Sequence, residues 1–526
     1  MSQMLKSSGA MAAATFTSRL LGLAREMVYS RFMGVGWVTD AFLLAFQIPN
    51  LFRRLLGEGA LTAAFIPIFK EKEKTEGEQA MWRAANGVIS ALIIGASAVV
   101  GIVLLGVSVA LAAHAFEPRT ELMLRLLRVM FPYMLLVCLA AVFMGMLNAR
   151  GYFFIPAMGA TALNVVMIAS VFWLAPQMGH GLPQQIFGLA IGVLAAGAAQ
   201  AAFQLPVLFR EGFRYRWVSP WNNETVRLVV SRMIPGAIGV AAFQINIAVV
   251  QFLAFWVGAG IVSSFGFAVR LMELPQGMFG ISLATYMLPT LAGLAVEKNH
   301  SEFRSTVRSG LATLLFVNWI SSVLLFVLAT PIIRLLFQGG SFKAAATSEV
   351  SFALECLAPA LVAYSSVNVL ARAFYALGDI KTPMKISIFC LVLNAVLAGG
   401  LVFPLRQGGL GIANTVTSAC NAGLLLFALH KRLGPLELAP FKKSVPVLAF
   451  SGIAAGLAAW CAWILWERQF GHHGIAMRMG AVFVPSILGG AIYGAIALAF
   501  KVPAAAEMFA FALARLKRAT TGHAAD

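Results

Sequence analysis

Apolar runs long enough to cross a lipid bilayer follow one another along almost the whole chain, and that recurrence constrains the fold more than any other feature. A run of about 20 apolar residues spans a hydrocarbon core as a helix; residues 88–111 form one such run. In lipid every backbone N–H and C=O must be satisfied within the protein, which leaves helices or closed barrels. Barrel strands alternate apolar and polar residues, and these runs do not. Only 11% of the 526 residues are charged, against roughly 25% in a water-soluble domain. The chain therefore reads as an all-α integral membrane protein.

Hydropathy and helix breakers place about fourteen crossings, the first two centred near Ala14 and Ile48 and the seventh near Val240. Basic residues orient them, because Lys and Arg collect on the cytoplasmic side. Lys6 and the connections after even-numbered crossings hold 23 of the 39 Lys and Arg, whereas the odd-numbered connections hold seven. The seven are Arg31, Arg119, Arg125, Lys343, Arg406, Arg468 and Arg478. Both termini are thus expected in the cytoplasm, with the chain multi-pass in the cytoplasmic membrane. The same bias accounts for a net charge of +18 and excludes nucleic acid as the partner. Arg19 interrupts the first apolar stretch early, so that stretch is expected to remain as a helix rather than be cleaved as a signal.

A repeat is visible in the proline and glycine pattern. Pro132, Gly151 and Pro156 recur 227 positions later as Pro359, Gly378 and Pro383, and Pro49 and Pro67 are echoed by Pro275 and Pro289. An offset of six crossings keeps cytoplasmic loops cytoplasmic, so the duplication is parallel. The expected domains are a first lobe at 1–220 (crossings 1–6), a second at 221–435 (crossings 7–12), a final pair at 436–503 and a basic tail at 504–526. A cavity between two such lobes is the expected substrate site, and the tail residues Arg515, Lys517 and Arg518 are expected to lie against anionic lipid.

Charge inside the apolar runs carries the functional signal, since an ionisable residue at mid-membrane costs a few kcal/mol. Arg128, Arg232 and Arg334 lie near span ends, where snorkelling suffices. The first 60 residues differ: they hold Arg19, Arg25, Glu26, Asp40, Arg53, Arg54 and Glu58. Arg19 and Arg25 are about 120° apart around a helix, so both can border one broad cavity. Arg53 and Arg54 follow Pro49, and Arg270 and Glu273 precede Pro275, each set beside a helix break. Internal pairs such as Arg25 with Asp40, or Arg53 with Glu58, are the alternative, but positive charge remains in excess. Arginine grips phosphate bidentately and keeps its proton, so an anionic phosphate or diphosphate substrate is expected.

No catalytic or nucleotide-binding motif competes. Transport would have to draw on the membrane potential, an ion gradient or the substrate gradient. Cys138, Cys356, Cys390, Cys420 and Cys461 form no CxxC pair, and all seven histidines fall in predicted loops or the tail. Neither a metal site nor a cofactor is expected.

Four segments now carry a resemblance: SRLLGLARE, TDAFLLAFQIPNLFRRLLGEGALTAAFIPIF, RLMELPQGMFGISLATYMLPTL and FYALGDIKTPMK. They are similar, in order and spacing, to the MurJ/MviN family of lipid II flippases from about Lys6 to His430. The resemblance implies the multidrug/oligosaccharidyl-lipid/polysaccharide exporter fold, with two six-helix lobes around a central cavity. The implied cargo is the undecaprenyl-diphosphate-linked disaccharide-pentapeptide of peptidoglycan synthesis, moved across the bacterial inner membrane by alternating access. On this likeness Arg19, Arg25, Asp40, Arg53 and Arg270 are the substrate-binding residues, with Arg54, Glu58, Glu273 and Arg372 in a second tier. Gly34, Gly36, Pro49 and Pro275 are candidate hinges, and the final helix pair forms a groove for the lipid tail. Lipid II and membrane lipids are the implied partners, with cell-wall synthesis or division proteins as further candidates. Where the family often has an acid before Arg270 this chain has Val269, and the acidic ligands of some members' sodium site are not evident. A flippase for another polyprenyl-linked glycan, or a drug/ion antiporter of the same fold, is the alternative.

Overall fold

The computed structural model describes residues 2–54, 61–434 and 439–510, without the side chains of 2–16, 62, 63, 235–243, 246 and 439–442. Glu58, Arg515, Lys517 and Arg518 lie outside the described residues. Helices dominate, and no β-strand occurs among the described residues. In chain order they are α1 (Ser2–Met33), α2 (Trp37–Phe52), α3 (Thr62–Glu76), α4 (Glu78–Ala113), α5 (Pro118–Met130), α6 (Tyr133–Ala149), α7 (Phe154–Trp173), α8 (Leu182–Ala202), α9 (Leu205–Arg210) and α10 (Glu224–Val257). There follow α11 (Ile261–Pro275), α12 (Ser282–Val296), α13 (His300–Val327), α14 (Ala329–Leu336), α15 (Ala344–Leu357), α16 (Ala360–Ala376), α17 (Lys381–Leu433), α18 (Ala439–Phe470) and α19 (Ile475–Ala499).

Among the described residues eight helices are long and apolar enough to cross a membrane, or ten if two bent pairs each form one span. That count stops short of the fourteen expected, for local reasons. α1 carries Arg19, Arg25 and Glu26 within its apolar run, and α2 has only 16 residues. The apolar stretch Ile247–Val257 of α10 is short. α17 counts once although it has 53 residues, which at about 1.5 Å each is far more than a hydrocarbon core of about 30 Å. Its backbone turns at Arg406 (φ 50°, ψ −128°), and Asn394 donates to Thr417 Oγ1 at 3.1 Å. α17 is therefore a helical hairpin.

The chain divides into two compact units, Met1–Ser263 with Gly339–Lys343, and Ser264–Gln338 with Ala344–Asp526. In the first unit an aromatic chain runs through Phe65, Phe69, Trp82 and Phe213, with ring centroids 5.3, 5.6 and 5.6 Å apart. Phe213 pins the extended segment after α9 onto α4, where Asn86 donates to the Arg214 carbonyl at 3.0 Å. α7 and α8 approach closely because Gly192 has no side chain: a Cβ there would meet Ser170 Cβ at 2.3 Å. Small residues that let backbones close in are how membrane helices gain contact energy without a hydrophobic drive. α10 packs on α2, α3 and α4, which is why packing carries the first unit to Ser263, past the 220 of the sequence division.

In the second unit α12, α13, α16 and the end of α17 share a core of Leu291, Phe303, Val307, Phe374 and Leu425. α18 and α19 pack on each other and on α13, held by Tyr493 Oη donating to the Phe316 carbonyl at 2.8 Å.

The repeat appears in backbone geometry. α5 and α6 bend by 41° at Pro132, and α15 and α16 by 46° at Pro359. Both second halves end alike: Gly151 and Gly378 take φ +88° and +71°. The next N–H returns to the carbonyl five residues back, Tyr152 to Leu147 and Asp379 to Phe374, each at 2.9 Å. This is the glycine-terminated helix cap, built twice in one register.

Candidate functional site

α1 is set against α7 by polar contacts: Asn164 donates to the Ser18 carbonyl at 3.3 Å and Tyr29 Oη to the Met167 carbonyl at 3.4 Å. Between them Arg25 is partly buried, 2.6 Å from Glu26, and its second arm donates to Met167 Sδ at 3.6 Å. A thioether is a weak acceptor, so this arm is only lightly held, and the Arg25 Nε is buried with no partner. Arg19, a turn and a half earlier, is exposed and makes no ion pair with a described residue. α2 runs through the buried Pro49 to Phe52. Beyond it Arg53 Nε donates to Asn50 Oδ1 at 2.7 Å, among other contacts, and Arg54 is half-buried.

Asp40 has a different setting. It is fully buried in the first turn of α2. Its carboxylate accepts the Gly260 N–H at 2.7 Å and the Ser263 N–H at 2.8 Å, capping the start of α11. Arg119 completes the shell at 3.2 Å. With both oxygens engaged, Asp40 acts as a structural node. The alternative pairing of Arg25 with Asp40 is replaced by Arg25 with Glu26 and Asp40 with Arg119.

In the second unit Arg270 is exposed on α11 and pairs with Glu273 at 2.9 Å, one turn on. Pro275 ends α11, and the missing N–H lets the backbone widen into a π-helical turn, Gln276–Ile281. Arg372 is half-buried on α16 and donates to Thr285 Oγ1 of α12 at 3.1 Å. Of the two hinge glycines only Gly34 needs to be glycine. It sits at φ +65°, and a Cβ there would lie 2.5 Å from the Ser341 carbonyl oxygen, whereas Gly36 is extended with open space around it.

Two arginines have partners that the sequence reading did not assign. Arg119 was counted as a loop residue; its position in the first turn of α5, where the helix dipole disfavours a cation, is the signal that an acid must face it. Arg334, expected to snorkel, is instead paired with Glu467 at 2.7 Å, and His472 Nδ1 lies 2.5 Å from the same Glu467 oxygen. No group of three or more His, Cys, Asp or Glu that could hold a metal ion occurs among the described residues.

Comparison with known proteins adds four findings. The profile of the family described as "Lipid II flippase MurJ" matches residues 29–480. A relative from Burkholderia cenocepacia, "Lipid II flippase MurJ", is 33% identical over 460 residues, covering 85% of this chain and 88% of its own. Among solved structures, "Lipid II flippase MurJ, inward closed conformation" superposes with a TM-score of 0.75 at 22% identity, covering 93% of this chain and 98% of its own. An inward-facing multidrug resistance MATE transporter of the MOP superfamily superposes at 0.66 and 15% identity, covering 81% and 98%.

Proposed function

The chain belongs to the MurJ family of lipid II flippases, and on that premise we propose that it carries lipid II, the undecaprenyl-diphosphate-linked peptidoglycan precursor, from the cytoplasmic to the outer leaflet of the bacterial inner membrane. The observation that carries this reading is the arm of Arg25 left to the Met167 thioether while Glu26 takes the other, with the exposed Arg19 a turn and a half earlier on the same helix. A diphosphate is a far better acceptor than the Met167 thioether. Arg53, Arg270 and Arg372 are further phosphate or headgroup contacts in this reading. Asp40 serves by holding α11. Glu273 screens Arg270 until substrate displaces it. We place the driving force in the membrane potential or an ion gradient, and the lipid tail along α18 and α19, whose outer faces expose Phe450, Ile453, Leu457, Phe483 and Ile487.

The decisive experiment is complementation in a bacterium depleted of its own flippase, scoring which leaflet holds lipid II. This chain is expected to restore the outer-leaflet pool. Arg25→Ala and Arg270→Ala should each insert normally yet lose about tenfold or more in rate, the worth of one charge-assisted hydrogen bond. A chain that inserts but leaves lipid II in the inner leaflet ends the proposal. Full activity of both alanine variants would remove the arginines from it.

A further inference from the structure

We infer that Arg119 is a positioning residue of the transport cycle, which acts through the Asp40 carboxylate on the turn at 258–263. The inference rests on the transport reading above.

Arg119 enters the first turn of α5, where the helix dipole opposes a cation. Three contacts compensate. Its guanidinium lies 4.0 Å over the Phe255 ring, while the same Nη2 reaches Asp40 Oδ2 at 3.2 Å and donates to the Gly258 carbonyl at 3.0 Å. A planar group that stacks by its face and donates from its edge meets all three at once, which a lysine ammonium does not. Only 13% of the Arg119 side chain is exposed, and none of Asp40. A buried carboxylate with no counter-charge is strongly destabilised; Arg119 supplies that counter-charge and holds Asp40 in place to accept the Gly260 and Ser263 N–H groups.

The consequence runs along the chain. Gly258, Gly260 and Ser263 form the entry to α11, and Arg270 stands two turns further on the same helix. Phe255 belongs to the last turns of α10, so Arg119 grips the turn from both sides: ring and carbonyl directly, and the α11 amides through Asp40. Arg119 touches neither a phosphate-binding arginine nor Glu273. Its loss should therefore change how fast the helix is carried through the cycle, not how tightly substrate is held.

Purified protein in lipid II-containing vesicles tests this. Arg119→Gln should lower maximal turnover about tenfold while the half-saturating lipid II concentration stays within about twofold, a loss confined to the moving step. Arg119→Lys should recover part of that loss. Asp40→Asn with Arg119→Gln should be no slower than Asp40→Asn alone, because the two act as one unit. Hydrogen exchange at Gly260 and Ser263 should rise in Arg119→Gln, a readout independent of cargo. Wild-type turnover in Arg119→Gln, multiplying losses in the double variant, or unchanged exchange would each overturn the inference. A wild-type protein that moves no lipid II defeats the transport reading instead, and exchange then decides the Arg119 link alone. If Arg119→Gln does not fold, Arg119→Lys and Phe255→Leu carry the same readouts.

Discussion

The same turn is built twice in this molecule, once after α6 and once after α16, and the two copies are alike in backbone and opposite in charge. In the first, Arg150 gathers carboxylates from three elements: Glu73 of α3 at 2.5 Å, Glu78 of α4 at 3.2 Å and Glu211 after α9 at 2.8 Å. In the second the turn carries the acid. Asp379 accepts the Thr382 N–H at 3.0 Å and the Thr382 hydroxyl at 2.8 Å, capping the start of α17, and pairs with Arg432 at its end. The shared part is what a glycine at positive φ enforces, and it survives in register. The charges follow neighbours that differ: three helix ends converge on the first turn, and the two ends of one hairpin meet at the second. Duplicated sequence thus preserves geometry where the backbone allows no substitute, while electrostatic ties adapt to local packing.

The largest expected effect separates the copies by number of partners. Arg150→Ala removes one partner from each of three carboxylates and should cost about 2 kcal/mol of thermal stability in detergent, between surface and buried ion-pair values. Asp379→Ala removes a cap and one pair and should cost about 1 kcal/mol. If the second loss equals or exceeds the first, the contrast between the turns fails. The glycines sharpen the shared half. A Cβ on Gly151 or Gly378 meets nothing within 4 Å, so alanine there reports backbone strain alone. Each should cost about 1 kcal/mol, equally at both sites; unequal melting shifts would mean the two caps are not equivalent.

The smallest effect is with pH. Hydrogen bonds from Lys70 and Arg150 hold Glu73 below the usual carboxylate range, and Tyr152 and Arg150 do the same for Glu211. The Thr382 backbone and side chain and Arg432 lower Asp379. A carboxylate lowered in the folded state stabilises it in full above its ordinary value of about 4, and that contribution disappears as pH falls through the lowered one. Melting temperature should therefore drop on acidification below about pH 4, and less steeply in Arg150→Gln than in wild type. A parallel acid limb in both proteins would show that Arg150 is not the group holding those acids.

The candidate site residues could be named from the sequence because they stand out by local chemistry. Arg25 stands out as an arginine inside an apolar run, Arg53 and Arg270 as arginines beside prolines, and the helix does widen into a π-helical turn directly after Pro275. The role of Asp40 was hidden because its partners lie 79, 220 and 223 positions away. Arg334 was misread for the same reason, its acid being 133 positions distant.

By itself the sequence determined that this chain is a helical membrane protein, that it contains a duplication, and that it keeps costly positive charge within its first helices. Those properties follow from composition, period and breaker residues, which act over a few turns of chain. Only the tertiary structure decided which acid meets which arginine, that α10 packs with the first unit, and that α17 folds back on itself at Arg406. Ion pairs and helix packing are set by approach in space, and a buried charge takes whichever partner the packed helices bring within reach.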